Sequence, residues 1–361
     1  MTKGTTKSSR RTKSKKRSAA KSKPNFFKAH SLAVTIAGAI FAAAIIGIAI
    51  ITLPSYHGKD VMIYIPQTAT EASIKDTLKT RLGNAMGNRV YMLWQLQGGS
   101  PSHSHGAYMA SDGMSAGRLS HRIASGAQTP VRVMFNGTRT LDKLADQLTG
   151  NLELSPEDFL KACDKVLTDS GLTRPEFPAA FIPDTYEFYW TITPEQLVSR
   201  LYSQRNKFWT GTRLQKAKDA GLTPVQVATV ASIVEEETAK ADERPKVARL
   251  YLNRLNRGMK LQADPTVKFA VGDFSIRRVL HSHLTVDSPY NTYMNKGLPP
   301  GPIRIVEAAT IDAVLNAPRH DYIYMCARED FSGYHNFSTE FSQHRQNATN
   351  YQAELDRREI K

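Results

Sequence analysis

The hydrophobic positions change rhythm several times along this chain, and each rhythm predicts a different element. From Leu32-Ala33-Val34 to Ile50-Ile51-Thr52-Leu53 the residues are almost wholly apolar, and residues 31–58 hold no Asp, Glu, Lys or Arg. About 20 such residues span a bilayer as a helix, whereas a buried soluble helix of this length rarely lacks a polar face. A transmembrane helix is therefore expected over 31–54. Beyond it, short β-rich runs at Val61-Met62-Ile63-Tyr64-Ile65 and Val131-Arg132-Val133-Met134-Phe135 enclose helical patterns near 72–82 and 114–124. This mixture predicts a small α+β module over 60–135. The polar, glycine-rich run at 98–106 reads as a loop within it.

Capped surface helices are expected over 138–148 and 155–170, where Ser155-Pro156-Glu157 is a start signal, within a connecting helical region spanning 136–222. The aromatic-dense segment 181–190 fits either a core or a sugar-stacking surface. From residue 223 the pattern is clearer. Thr223-Pro224 supplies an N-cap and a first-turn proline, and Val225, Val227, Val230, Ala231 and Val234 follow at helical spacing. Asp242-Glu243-Arg244-Pro245 starts a second helix with Val247, Leu250, Tyr251 and Leu255 as its apolar face, stopped at Gly258. The pair reads as two antiparallel helices. A polar loop leading to a short strand is expected from Met259 through Val267, and a second loop carries Tyr290-Asn291-Thr292-Tyr293 and Gly297-Leu298-Pro299-Pro300-Gly301. The chain as a whole reads as α+β, with a larger mixed α/β domain over 223–361.

The first of these helices ends in Glu235-Glu236-Glu237. At about 100° per residue, Glu237 lies roughly 60° from Val234, Glu235 about 100° from it, and Glu236 nearly opposite. Glu237 is thus the one expected to continue the buried stripe. A carboxyl on an apolar surface loses hydration in its charged form, so its pKa rises and it remains a proton donor near neutral pH. Spacing alone also fits an acidic turn facing solvent.

Charge narrows the functional classes. Of the net +15, eleven positive charges and no acid fall within residues 1–30, leaving +4 for the remainder. A basic patch spread over one face would suggest nucleic acid, but this one sits directly before an apolar span. The positive-inside rule then predicts a cytoplasmic tail over 1–30 and a body on the far side of the membrane. Nucleic-acid binding is not expected, because topology and anionic headgroups account for the tail. Cys163 and Cys326 are the only cysteines, and an exported compartment permits a disulfide without their spacing deciding it. His281-Ser282-His283 lacks an identifiable third ligand, so no metal is expected. The chain contains no GxxxxGK[ST], GxGxxG or HExxH motif.

One set of stretches is similar to a known family. These are Ala231-Ser232-Ile233-Val234-Glu235-Glu236-Glu237-Thr238, Glu243-Arg244-Pro245-Lys246-Val247-Ala248, Asn253-Arg254-Leu255, Gly258-Met259-Lys260-Leu261-Gln262-Ala263-Asp264-Pro265-Thr266-Val267, Tyr290-Asn291-Thr292-Tyr293 and Gly297-Leu298-Pro299-Pro300-Gly301-Pro302-Ile303. In this order they resemble the YceG-like endolytic murein transglycosylases of the MltG type. The resemblance covers 181–351 well and 106–135 less closely, where that family places a LysM-like module; residues 62–104 depart from the usual pattern.

The resemblance implies a lytic transglycosylase that needs no cofactor. Its substrate is the glycan strand of nascent peptidoglycan, cut internally at the β-1,4 bond from N-acetylmuramic acid to N-acetylglucosamine. Such cutting leaves 1,6-anhydro ends and terminates strand elongation, and cell-wall synthases are the implied partners. By the family pattern the catalytic residue is the glutamate before the threonine, Glu237. Gln262, Asp264, Asn291 and Tyr293 are the candidates for holding substrate, each equally able to stabilise its loop. A hydrolytic muramidase on the same scaffold and a non-catalytic wall-binding scaffold remain the alternatives.

Overall fold

The structure is a computed structural model that describes residues 1–2, 4, 26–276 and 278–358, with only the backbone given for 26–31. Most of the basic tail expected over 1–30, residues 3 and 5–25, lies outside these residues. Helix α1, Phe26–Thr52, includes one stretch, Leu32–Thr52, long and apolar enough to cross a membrane, with a mean hydropathy of 2.7. Leu32, Val34, Ile36, Ile40, Phe41 and Ile45 all point away from the protein. The end of α1 is spliced into the first folded unit: Ala116 N–H donates to Pro54 O, Tyr56 N–H to Met114 O, and Gly113 N–H to Tyr56 O.

That unit runs β1 (Val61–Ile65), α2 (Glu71–Leu82), α3 (Asn84–Leu96), β2 (Gly106–Ala110) and α4 (Ala116–Ala124). The strands pair antiparallel, Ile63 opposite Tyr108. Thr70 and Ser73 cap α2 reciprocally, and Ile74, Leu78, Val90, Trp94 and Leu119 form the core with Ile63 and Ile65. Gly87 lets α3 cross α2 closely, since a Cβ there would lie 2.6 Å from the Lys79 backbone.

The second unit corrects one expectation. Strand β3 (Val131–Phe135) does not pair within the 60–135 segment; it pairs antiparallel with β4 (Asp184–Phe188), Val133 opposite Tyr186. Helices α5 (Leu141–Thr149) and α6 (Pro156–Asp169) and a 3₁₀ turn (Arg174–Ala180) intervene, and α7 (Pro194–Phe208) follows. The 136–222 region therefore contains sheet as well as helix. Alternation along β3 sends Val131, Val133 and Phe135 into a core with Leu144, Phe159, Phe181, Phe188 and Leu197, while Arg132 and Met134 face outward. Phe181 and Phe188 of the aromatic segment are thus core residues. Cys163 is buried in the same cluster as a free thiol, and Cys326 is also free.

The C-terminal unit comprises α8 (Thr212–Asp219), α9 (Pro224–Glu237), α10 (Arg244–Asn256), α11 (Asp264–Val271), the single turn α12 (His281–Leu284) and α13 (Ala308–Leu315). An antiparallel hairpin, β5 (Tyr324–Ala327) and β6 (His335–Ser338), and α14 (Phe341–Arg357) complete it. It is mostly helical, and where a polar loop through Val267 leading to a short strand was expected, the chain forms α11 from Asp264 onward. Pro265 sits at a first-turn position, where its missing N–H is no loss.

Helix α9 carries no single stripe. Every residue from Val227 to Glu235 is buried, so α9 is the unit's central helix, packed by α10, α11 and α13. Its hydroxyls are satisfied locally: Thr229 donates to Val225 O, Ser232 donates to Thr229 O, and Ser232 Oγ accepts from Ile303 N–H. The loop before α13 packs against the second unit at Gly301, where a Cβ would fall 1.9 Å from Pro175 O.

Candidate active site

Because α9 is buried all round, the angular argument does not by itself single out Glu237. Glu235 is the most deeply buried of the three glutamates, and its side chain is only 3% exposed. Its Oε1 lies 3.1 Å from Arg304 Nη2, and its Oε2 accepts from Glu307 N–H and the Thr310 hydroxyl. Glu236 is held by Arg304 Nη1 at 2.8 Å and by Arg139 through both Nε and Nη2. Both carboxylates are thus tied to cations and lock α9 to the loop before α13 and to the second unit. Among the described residues Glu237 has no ion-pair partner.

Glu237 instead opens onto a cleft of about 480 Å³, within the range of small-ligand sites at about 300–1,000 Å³. Its Oε1 accepts a 2.6 Å hydrogen bond from the Tyr251 hydroxyl of α10. Burial pushes the Glu237 carboxyl up to about 7; the Tyr251 bond opposes this, the nearby Asp264 charge adds to it, and Lys268 and Arg254 pull it down. Its place as the last residue of α9, where helix carbonyls concentrate negative potential, works in the same direction as burial. The like-charge neighbour that matters is thus Asp264 across the cleft, whereas the Glu235 carboxylate is paired with Arg304.

Two walls flank the carboxyl. Leu261 and Ala263 are fully buried and alternate with outward-facing Gln262 and Asp264, both of which line the cleft. Gln262 holds a φ of 51°, a left-handed conformation costly for a residue with a Cβ. It is kept there by its N–H bond to Thr292 O and by the adjacent Ala263 N–H to Thr292 Oγ1. Tyr293 stands beside them, its hydroxyl donating to Asp264 Oδ1 at 2.6 Å.

The opposite wall is the β5–β6 hairpin with Phe341 and His344 of α14. Arg254, only 8% exposed, joins the two walls: Nε donates to Ile323 O and Nη1 to Leu261 O, at 2.7 and 2.6 Å. Its guanidinium also lies 5.6 Å from the Tyr324 ring centre. Such a cleft offers one carboxyl poised between acid and base, a buried cation beside it, and amide and hydroxyl groups suited to a polar substrate.

The profile of the YceG-like family matches residues 63–350. The chain belongs to the YceG-like family. Among relatives of this YceG-like chain, a protein named endolytic murein transglycosylase from Bacillus subtilis (strain 168) is 28% identical over 289 residues, covering 75% of this chain and 79% of that one. A protein of the same name from Streptococcus pneumoniae serotype 2 (strain D39 / NCTC 7466) is 26% identical over 329 residues; the alignment covers 82% of this chain and 59% of the relative. A crystal structure of a YceG-like protein from Listeria monocytogenes superposes with a TM-score of 0.53 at 23% identity, over 80% of this chain and 98% of that one, and speaks for the shared fold.

Within this YceG-like fold, Glu237, Gln262, Asp264 and Tyr293 come together on one cleft. Asn291 does not join them. It is fully buried; its amide nitrogen donates to Leu284 O and Val286 O, and its oxygen accepts from Tyr293 N–H. Its hydrogen bonds are made within its own loop, and it does not line the cleft as the other expected substrate-binding residues do. Sequence reasoning missed Tyr251, counted only as apolar face, and Arg254, quoted only as part of a matching stretch. It also missed the hairpin wall, for which no motif had been singled out. Tyr251 at an otherwise aliphatic helix face was the available signal, since a buried phenol needs a partner.

Proposed function

We propose that this chain is a membrane-anchored lytic transglycosylase that cuts peptidoglycan strands internally, with Glu237 as its single acid and base. The observation that carries this reading is the Glu237 carboxyl, raised to about 7 at the base of a polar cleft. The names of the relatives supply the substrate class. As the neutral acid, Glu237 protonates the glycosidic oxygen while positive charge develops at the muramic acid C1. The resulting carboxylate takes the proton of that sugar's C6 hydroxyl, whose oxygen closes on C1 to give the 1,6-anhydro end. Tyr251 steadies the carboxylate between the two steps, and Gln262, Asp264, Tyr293 and Arg254 hold the sugars.

Asp264 faces the same cleft, so two-carboxylate hydrolysis is the competing chemistry. The Asp264 carboxylate is engaged by the Tyr293 hydroxyl, which favours a binding role. The apolar stretch of α1, about 31 Å long at a 1.5 Å rise, supports a single span in the plasma membrane. The charge bias before it supports a cytoplasmic N-terminus and an extracytoplasmic body. We assign the first folded unit the LysM-like glycan-holding role, and nascent strands beside their synthases are the setting.

The test is cleavage of glycan strands by the detergent-solubilised chain, read by mass spectrometry. Products lighter by one water than hydrolysed ends are expected from the native protein and none from Glu237→Gln. Hydrolysed ends would overturn the lyase reading, and equal cutting by both proteins would overturn the assignment of Glu237.

A further inference from the structure

His335 and Glu243 form a pair that the reaction above does not use. His335 begins β6, opposite Ala327 of β5, and lines the same cleft as Glu237. Glu243 immediately precedes α10 and is 5% exposed. One Glu243 oxygen takes the His335 backbone N–H at 2.8 Å, and the other lies 2.8 Å from the ring Nδ1. A carboxylate only accepts, so Nδ1 carries the proton and, in the neutral ring, Nε2 is left as an acceptor. Among the described residues Nε2 has no hydrogen-bond partner.

We propose that His335 is a substrate-binding residue, accepting a hydrogen bond through Nε2 from a hydroxyl or N-acetyl N–H of the glycan, with Glu243 as the positioning residue that fixes its tautomer. This rests on the glycan-cleaving reading of the cleft. Docking of the hairpin alone does not require the ring contact. The Glu243 bond to the His335 backbone N–H and the Tyr334 hydroxyl on Asp242 already tie β6 to the start of α10. The ring bond adds orientation. Glycans present many donors, and a neutral acceptor meets them without bringing another negative charge towards Glu237. Helix α10 would then serve both walls: Tyr251 holds the reacting carboxyl, and Glu243 at its entrance aims the imidazole.

The experiment uses the full chain in detergent with purified glycan strands. His335→Asn keeps a side-chain donor near Nδ1 but removes Nε2; kcat/KM should fall about 10- to 100-fold, mainly through KM, with thermal stability retained. His335→Gln, whose amide reaches the Nε2 position, should recover part of the loss. Glu243→Gln should offer an amide donor to Nδ1 and move the ring proton to Nε2, visible in the ¹⁵N shifts of His335, with a similar loss of activity.

Unaltered kinetics in a stable His335→Asn protein would overturn the proposal, as would an unchanged tautomer in Glu243→Gln. Should His335→Asn not fold, glycan titration into Glu237→Gln protein decides: His335 ring resonances must shift on binding, and their failure to shift overturns the proposal. Loss of activity in Glu237→Gln alongside native kinetics in His335→Asn would refute this inference while leaving the parent reading intact.

Discussion

The Tyr251 hydroxyl donates to Glu237 Oε1 at 2.6 Å, joining the last residue of α9 to the middle of α10. This bond favours the ionised carboxyl, while the Asp264 charge disfavours it. The two substitutions should therefore move the pH profile in opposite directions. The proposed mechanism needs Glu237 protonated at the outset, so kcat/KM should decline as pH rises through about 7. Tyr251→Phe should shift that midpoint upward and Asp264→Asn downward. Glycan-cleavage rates between pH 5 and 9 check both; shifts of the same sign would contradict the arrangement.

Stability should show the same carboxyl from the other side. A folded-state pKa raised from about 4.5 to about 7 means that ionising Glu237 costs the folded protein. Its favourable contribution is complete below about pH 4.5 and is lost as pH rises through about 7. Glu237→Gln should leave stability near native at pH 4–5 and increase it by about 1–3 kcal/mol at pH 8, discounted for the side open to the cleft. Denaturant unfolding at the two pH values measures this.

Arg304 bridges Glu235 and Glu236 without lining the cleft. Arg304→Ala would leave Glu235, with a side chain 3% exposed, without an ion-pair partner among the described residues, at a cost of about 3–5 kcal/mol. The melting temperature should drop strongly. The pH midpoint of the remaining activity should hold, because Arg304 is not among the charges acting on Glu237.

Asn291→Ala removes the donors to two loop carbonyls and the acceptor of Tyr293 N–H. A loss of about 2–4 kcal/mol is expected from these unpaired groups. Calorimetry checks the stability term. A normal melting temperature combined with a raised KM would instead return Asn291 to the substrate.

What the sequence disclosed follows where the forces are local. The apolar stretch of α1 is set by composition, and the starts of α6, α9 and α10 are set by Ser, Thr and Pro at their first turns. The surroundings of α9 were less legible, since burial on every side produces no stripe; Ala, Ser and Thr among its valines let neighbours approach while satisfying their own hydroxyls. The partner of β3 lies about 50 residues away, and nothing in Val131–Phe135 itself states whether it pairs forward or back. Asp264-Pro265 reads equally as a turn and as a helix start until the packing of Val267 decides it. Asn291 and Asp264 were indistinguishable as polar loop residues, and only burial separates the one that shapes the loop from the one that faces the cleft.

The splice between α1 and the first folded unit has a mechanical consequence. The backbone bonds from Pro54 and Tyr56 to the 113–116 segment replace a loose tether with a stiff joint. With α1 in a bilayer, as proposed, spinning of the helix about its axis would sweep the body through an arc at a nearly fixed height. The cleft would then act as a ruler, meeting strands within a narrow layer above the lipid and leaving wall beyond its radius untouched.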